Sequence, residues 1–246
     1  MISIITLAVF LEGKISILID ELIQNGTAGD PVFDAFYSGF GPITIGAEAE
    51  TIMRRAMCEL LQNSGKAILI AHSIGSEYAL QASDACPEYV AAHVSIEGDQ
   101  SPFASYDRGA QGLNTSIPYR PYGLSNIPLT FDPPVSNPNQ LVKKTVGTTS
   151  YTAGLLSNYS CTLQASPARQ LPRVALAPVL FLTSEASIHA TYDHCQVAFL
   201  QQAGVKVNFT RLADVNIRGN GHFMMLEKNS DQIALWITRW IEQNIL

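Results

Sequence analysis

Lys66-Ala-Ile-Leu-Ile-Ala-His-Ser-Ile-Gly75 is a run of strand-forming apolar residues that ends on a serine, Ser73, where a helix opens. Ala71 to Gly75 match the G-x-S-x-G nucleophile elbow with alanine in place of the first glycine. Small residues are needed around such a serine because strand and helix pack closely about the sharp turn. In that setting Ser73 Oγ stands clear of the sheet, and the Ile74 amide faces the same space as an oxyanion donor. The competing reading makes Ser73 an ordinary helix N-cap, a position where serine is favoured. Partners elsewhere in the chain must decide between the two.

Outward from this point, strand-like apolar runs alternate with helix-like stretches, the pattern of a parallel sheet covered on both faces. Upstream, residues 46 to 63 carry Ile52, Met53, Ala56, Met57, Leu60 and Leu61 at helical spacing and end near Gly65. Downstream, a helix over 74 to 84 stops before Pro87, and Tyr89 to Ile96 reads as the next strand, ending at Glu97 and Gly98. The alternation resumes with a strand over Pro178 to Ser184, a helix over Asp193 to Ala203 and a strand over Val205 to Leu212. The loop Ile217-Arg-Gly-Asn-Gly-His222 then leads to a closing helix, Asp231 to Asn244, with Ile233, Leu235, Trp236, Trp240 and Ile241 as its apolar stripe. Between the halves lie residues 99 to 172, rich in Pro, Gly, Ser, Asn and Tyr. A segment of that length within a compact domain is usually functional, and it reads as a lid or cap.

Bulk composition permits an enzyme of one domain. The chain has 246 residues, 47% of them hydrophobic and 15% charged, which is enough to bury a sizeable core. A net charge of −6 without a Lys/Arg cluster argues against a nucleic-acid surface. No run reaches the roughly 18 apolar residues of a membrane span. The longest, Ile2 to Leu11, is interrupted by Ser3 and Thr6, stopped by Glu12, Gly13 and Lys14, and lacks the basic start of a signal peptide. Cys58, Cys86, Cys161 and Cys195 form no C-x-x-C pair, so no zinc site is expected and two disulfides of unassigned pairing are open. Four N-x-S/T sequons, at Asn25, Asn114, Asn158 and Asn208, lean towards secretion and leave the compartment open between secreted and cytoplasmic. There is no G-x-G-x-x-G, P-loop or H-E-x-x-H motif, so no cofactor or metal is expected.

A serine nucleophile needs a base. His72 sits beside Ser73 on the strand and should point away from it, while His93 in mid-strand reads as a satisfied core histidine. His189 and His194 flank the loop after the 178 to 184 strand and could line a pocket. His222 follows a strand and a Gly219-Asn220-Gly221 loop, precedes the final helix and comes after Ser73 in chain order, which is the base position of an α/β-hydrolase. The acid that orients the imidazole has two candidates at strand ends. Glu97 terminates the strand after the elbow helix, next to the elbow because consecutive parallel strands are usually neighbours. Asp193 follows the 178 strand and is the runner-up, since the usual acid position there falls in Ser184-Glu185-Ala186-Ser187 and holds serine. Glu97 could instead cap a turn or pair with Arg108.

From about Gly29 to Leu246 the chain resembles a fungal and bacterial group of α/β-hydrolase-fold esterases whose acid is a glutamate after the strand following the elbow. The resemblance is carried by Gly29-Asp-Pro-Val-Phe-Asp-Ala-Phe-Tyr, Ala71-His-Ser-Ile-Gly, Val94-Ser-Ile-Glu-Gly, Pro121-Tyr-Gly-Leu, Asp132-Pro-Pro, Ser184-Glu-Ala-Ser-Ile-His and Gly219-Asn-Gly-His-Phe-Met-Met-Leu-Glu-Lys-Asn. It implies a serine hydrolase with Ser73 as nucleophile, His222 as base and Glu97 as acid. The group usually has Gln-Gly or Gln-Ser where this chain has Ile74-Gly75, and Pro where it has Gly98. It implies three parts: an atypical segment over 1–28, a hydrolase core over 29–98 and 173–246, and a lid over 99–172.

The front of the chain departs from the resemblance. Only 72 residues precede Ser73, without the His-Gly loop that supplies the second oxyanion amide, so the usual first strands are expected to be missing. That would leave the elbow strand with an open edge, which Ile2 to Leu11 could fill or a second copy of the chain could pair with as a homodimer. The expected activity is hydrolysis of a small, moderately hydrophobic carboxylic ester through an acyl-enzyme, the hydrophobicity being read from Phe103, Tyr119, Tyr122, Leu129 and Phe131 in the lid. The alternative is a truncated, non-catalytic hydrolase-like protein, either a binding module or the product of a misassembled reading frame.

Overall fold

In chain order the strands are β1 (Ser3–Leu7), β2 (Ala67–His72), β3 (Val90–Ile96), β4 (Ser105–Asp107), β5 (Gly112–Asn114), β6 (Lys143–Val146), β7 (Cys161–Gln164), β8 (Val179–Thr183) and β9 (Val207–Arg211). The helices are α1 (Pro31–Tyr37), α2 (Ala47–Ser64), α3 (Ile74–Ala85), α4 (Asp193–Gln202) and α5 (Ser230–Asn244). This computed structural model describes residues 3–7, 27–38, 45–98, 101–107, 112–114, 119–147 and 160–245. Five strands form one parallel sheet in the order β1-β2-β3-β8-β9, with helices on both faces.

β3 and β8 are apolar along almost their whole length and buried throughout, because helices cover both sides of a parallel sheet. Successive residues of β2 point to opposite faces. Ala67, Leu69 and Ala71 meet Met57 and Leu61 of α2 and Ala79 and Ala82 of α3. Ile68 faces the other way, into a cluster with Val94, Leu180, Leu182 and the α5 stripe Ile233, Ile237, Trp240 and Ile241. Leu235 lies on the exposed side of α5, outside that stripe.

The edge of β2 is occupied within the chain. Ser3–Leu7, part of the run Ile2 to Leu11, pairs with it in parallel from Ser3 opposite Ala67 to Leu7 opposite Ala71. The open edge on which the expectation of a paired second copy rested is therefore filled. The remaining residues of that run, and the sequon asparagines Asn25 and Asn158, lie outside the described residues.

Residues between β3 and β8 contain structure that their composition conceals. β4 and β5 form one antiparallel pair and β6 and β7 another. Phe103, Leu124, Leu129, Phe131, Leu141, Leu163 and Leu171 pack with Phe199 and Leu200 of α4. A buried polar network fastens the 119–131 stretch to α2 and α3. Glu50 accepts from Ser125 Oγ at 2.6 Å, from the Asn126 amide at 2.9 Å and from Gln81 Nε2 at 2.8 Å. Arg120 donates to Glu77 at 2.8 Å, and the Thr130 amide to Asp84 at 2.9 Å. Burial pushes the Glu50 carboxyl up, but the hydrogen bonds it accepts, from Ser125 and Asn126 among others, outweigh this and hold it below its ordinary value.

All four cysteines are paired. Cys58–Cys86 ties α2 to the end of α3, and Cys161–Cys195 ties β7 to α4.

His93 lies in the core, as its mid-strand position predicts, but its buried Nε2 has no hydrogen-bond partner among the described residues, where a satisfied histidine was expected. Burial lowers its pKa from 6.5 to about 4. A base whose folded pKa is depressed contributes stability that is present above 6.5 and is lost as pH falls towards 4, here about 3 kcal/mol. Chemical denaturation across this window is expected to show the loss, and His93→Leu to remove a large part of it.

Candidate active site

Ser73 sits between β2 and α3 with φ 54° and ψ −128°. A non-glycine residue at such a dihedral costs roughly 1–3 kcal/mol and persists only where the surroundings enforce it. The Ser73 amide donates to Ile96 O at 3.0 Å, the Ser76 amide to Ser73 O at 2.9 Å, and Ser76 Oγ to Ala71 O at 3.1 Å. The turn is thus clamped from β3 and from α3. Ile74 is the first residue of α3, so its N–H belongs to the helix-end amides that have no carbonyl in a preceding turn.

His222 arrives from the far end of the sheet. The loop that carries it is anchored by Glu227, which accepts from the Gly221 amide at 2.7 Å and from Asn220 Nδ2 at 2.6 Å. His222 Nε2 lies 3.1 Å from Ser73 Oγ, and His222 Nδ1 lies 2.6 Å from Glu97 Oε2. Nδ1 donates to the carboxylate, which leaves Nε2 to accept from the serine.

Glu97, one residue beyond β3, is fully buried with φ 46°. Ser184 donates to its Oε1 through the amide, at 2.8 Å, and through the hydroxyl. Ser187 Oγ donates to its Oε2 at 2.7 Å. Burial pushes the Glu97 carboxyl up, but the bond from His222, the charge of His189 and the two serines together hold it below its ordinary value. The serines in the stretch where an acid was expected therefore brace an acid held on the neighbouring strand. Arg108, the competing partner for Glu97, lies outside the described residues. Gly98 has no room for a side chain, since an added Cβ would lie 2.8 Å from Gln196 Oε1 and 3.1 Å from the Phe181 ring.

Asp193, the runner-up, is turned away from His222. It accepts from Thr183 Oγ1 at 2.6 Å, from Gln196 at 3.0 Å, and pairs with His189 Nδ1 at 3.0 Å. His189 and His222 stack with parallel rings at 4.5 Å, a contact that no linear motif reveals. The His72 ring also lies 4.4 Å from that of His222, tilted against it, with Nε2 2.8 Å from His222 O. A carbonyl only accepts, so His72 carries its proton on Nε2 and supports the backbone of His222. Burial, its largest influence, brings the pKa of His72 down to about 4. His194 is buried beside the Cys161–Cys195 disulfide, with Nε2 3.5 Å from Cys195 Sγ.

Nitrogen and oxygen atoms of Glu97, His189 and His222 lie within 4.8 Å of one another. Stacked parallel rings aim their nitrogens along separate planes rather than at a common centre, and all three groups are engaged in hydrogen bonds within the protein. Phe103, Leu129 and Phe131 belong to the core and do not line an open pocket. Among the described residues, exposed Phe223 packs edge-on to His222, and it could have been suspected from its place after the histidine.

A parallel sheet with a serine at positive φ between strand and helix, and a histidine in the loop between the last strand and the last helix, defines an α/β-hydrolase fold. The alpha/beta hydrolase family model matches residues 26–234, and the chain belongs to that family. It is 32% identical over 226 residues to a probable secreted lipase, phiG, of Fungal sp. (strain ATCC 74256), covering 89% of this chain and 58% of that protein. The chain thus spans little more than half the length of this relative. Among solved structures it is similar to a bacterial esterase, with TM-score 0.50 and 16% identity over 88% of this chain and 51% of the other. At that identity the likeness concerns the fold alone.

Proposed function

We propose that the chain is a carboxylic-ester hydrolase with Ser73 as nucleophile, His222 as general base and Glu97 as the acid that orients it. The observation that carries this reading is the unbroken hydrogen-bond relay from Ser73 Oγ through both ring nitrogens of His222 to Glu97. Ser73 Oγ attacks the ester carbonyl while His222 Nε2 takes its proton, and buried Glu97 stabilises the imidazolium formed. The Ile74 amide donates to the oxyanion. His222 returns the proton to the departing alcohol, leaving Ser73 acylated, and then draws a proton from water so that hydroxide attack releases the acid and restores the serine.

Support for an apolar ester comes from exposed Phe223 beside His222 and from the lipase description of the fungal relative. We read the 99–172 stretch, whose 119–131 part is fastened to α2 and α3 by Glu50, Glu77 and Asp84, as the cap over the substrate. Two disulfides favour an oxidising compartment, in keeping with the secreted relative, and we read the protein as secreted.

Labelling by a fluorophosphonate tests the assignment directly. Ser73 is expected to become covalently modified in the native protein, and His222→Ala to slow that modification by about 10³-fold or more. Modification of another serine, or labelling indifferent to His222, would refute the roles assigned.

A further inference from the structure

The sequon Asn208-Phe209-Thr210, which the triad leaves unused, lies in β9, the last strand in the sheet order and so one of its edges. Asn25 and Asn158 lie outside the described residues, and Asn114 is described only by its place in β5. Successive residues of a strand point to opposite faces. Val207 packs against the cluster that holds Phe199 and Leu200 of α4, and the Phe209 ring meets that of Phe181 at 6.1 Å. Asn208 therefore stands on the other face, level with Leu180 of β8. Leu180 is fully buried in the cluster beneath α5. One strand further out Asn208 is exposed, so the cover that α5 gives this face ends before the edge.

We infer that Asn208 is an acceptor site for N-linked glycosylation, whose glycan shields the outer edge of β9. This goes beyond ester hydrolysis and rests on the reading of the protein as secreted. The donor is the polyprenyl-pyrophosphate-linked oligosaccharide of a eukaryotic secretory pathway. The side-chain amide nitrogen of Asn208 bonds to C1 of the first N-acetylglucosamine. The bond from that carbon to the pyrophosphate oxygen breaks, its electron pair leaves with the pyrophosphate, and the nitrogen gives up one proton. Thr210 supplies the hydroxyl by which the transferase recognises the acceptor.

Transfer takes place on the extended chain, before β9 pairs with β8, so the fold must then close around the product. Exposed Asn208 lets it do so, because the sugar leaves into solvent and displaces no packed side chain. An asparagine in β3 or β8, buried throughout, could not keep such an adduct. Asn208 is the second residue of β9, near its start, whereas Ser73 and Glu97 stand just past the ends of β2 and β3 in the same parallel sheet. The glycan is thus set away from the triad. An oxidising secretory compartment, which suits Cys58–Cys86 and Cys161–Cys195, is also where the transfer occurs. Among the described residues β9 pairs with β8 alone, which leaves backbone N–H and C=O groups on its outer side open to a further strand. A bulky, hydrated oligosaccharide beside that edge keeps another chain from adding to it.

The full chain, sent through the secretory pathway of a eukaryotic host behind a cleavable leader, tests the site. An endoglycosidase that leaves one N-acetylglucosamine on each occupied asparagine is applied first. Trypsin, cutting after Lys206 and Arg211, then releases the peptide Val207–Arg211, whose mass reads the occupancy of Asn208. Most of this peptide is expected to carry the residual sugar. Thr210→Val, which keeps a β-branched side chain in the strand, and Asn208→Gln should each abolish it while preserving the circular dichroism spectrum. Recovery of the bare peptide from folded, disulfide-bonded, secreted parent protein overturns the inference and leaves the reading of secretion untouched. If the host's product is occupied but the natural protein resides inside its cell, the acceptor site stands and secretion falls. Light scattering tests the shield: both variants should associate at lower protein concentration than the glycosylated parent, and equal association would overturn that role.

Discussion

Replacing Ser73 by alanine is expected to lower kcat/KM for a short-chain p-nitrophenyl ester by about 10⁶-fold, to the level left by binding and the helix amide alone. The hydroxyl is the only atom lost, and the group that bonds it, His222 Nε2, remains in the site. The expected signature is therefore a fall in kcat with little change in KM, since the serine contributes to the transition state far more than to ground-state binding. The fold should survive, because the turn is held by backbone bonds from Ser73 to Ile96 and Ser76 that alanine retains. Turnover that persists in the alanine variant, measured on protein with an unchanged circular dichroism spectrum, would remove Ser73 from the chemistry.

Glu97→Gln is expected to lower kcat by about 10⁴-fold. Glutamine fits the same space, but its amide can present an N–H to His222 Nδ1 and so favour the tautomer with its proton on Nε2, which cannot accept from Ser73. The change also disturbs the bonds that Ser184 and Ser187 donate to a charged acceptor, so stability should fall at neutral pH. A carboxyl held below its ordinary value contributes stability that is present above pH 4.5 and is lost as pH falls through its folded value. Glu97→Gln should accordingly differ from the parent in stability at pH 7 and approach it in strong acid. If Asp193→Asn rather than Glu97→Gln abolished turnover, the acid would be misassigned.

The elements that read clearly from the sequence are those with strong periodicity or a bounded apolar run. β2, β3, β8, α3 and α5 all lie close to where their residues placed them, because burial on two faces of a sheet demands continuous apolar stretches. β4 to β7 were hidden in a Pro- and Gly-rich stretch, since short antiparallel pairs need only a few alternating residues and take their stability from neighbours. Within the site, Ser73, His222 and Glu97 could be singled out because each stands at the end of a strand or in the loop after one. The bracing of Glu97 by Ser184 and Ser187, and the face contact of His189, depend on strand order and rotamer, which leave no local signature. Phe103 and Phe131 of the 99–172 stretch are core residues for a related reason: composition says that such side chains are covered, and does not say by what.

Ser73 and Glu97 are borne by a single β2-α3-β3 unit, 24 positions apart, whereas His222 joins them 125 positions after Glu97. Close-range contacts of this kind form early in folding, and distant ones wait on loop closure. Under the proposed triad, a nascent chain would thus possess its nucleophile and its acid long before its base, and would remain chemically silent until the loop carrying His222 docks. On that proposal, activity reports the docking of this loop, and proteolytic loss of α5 with its preceding loop would disarm the protein while leaving the serine turn intact.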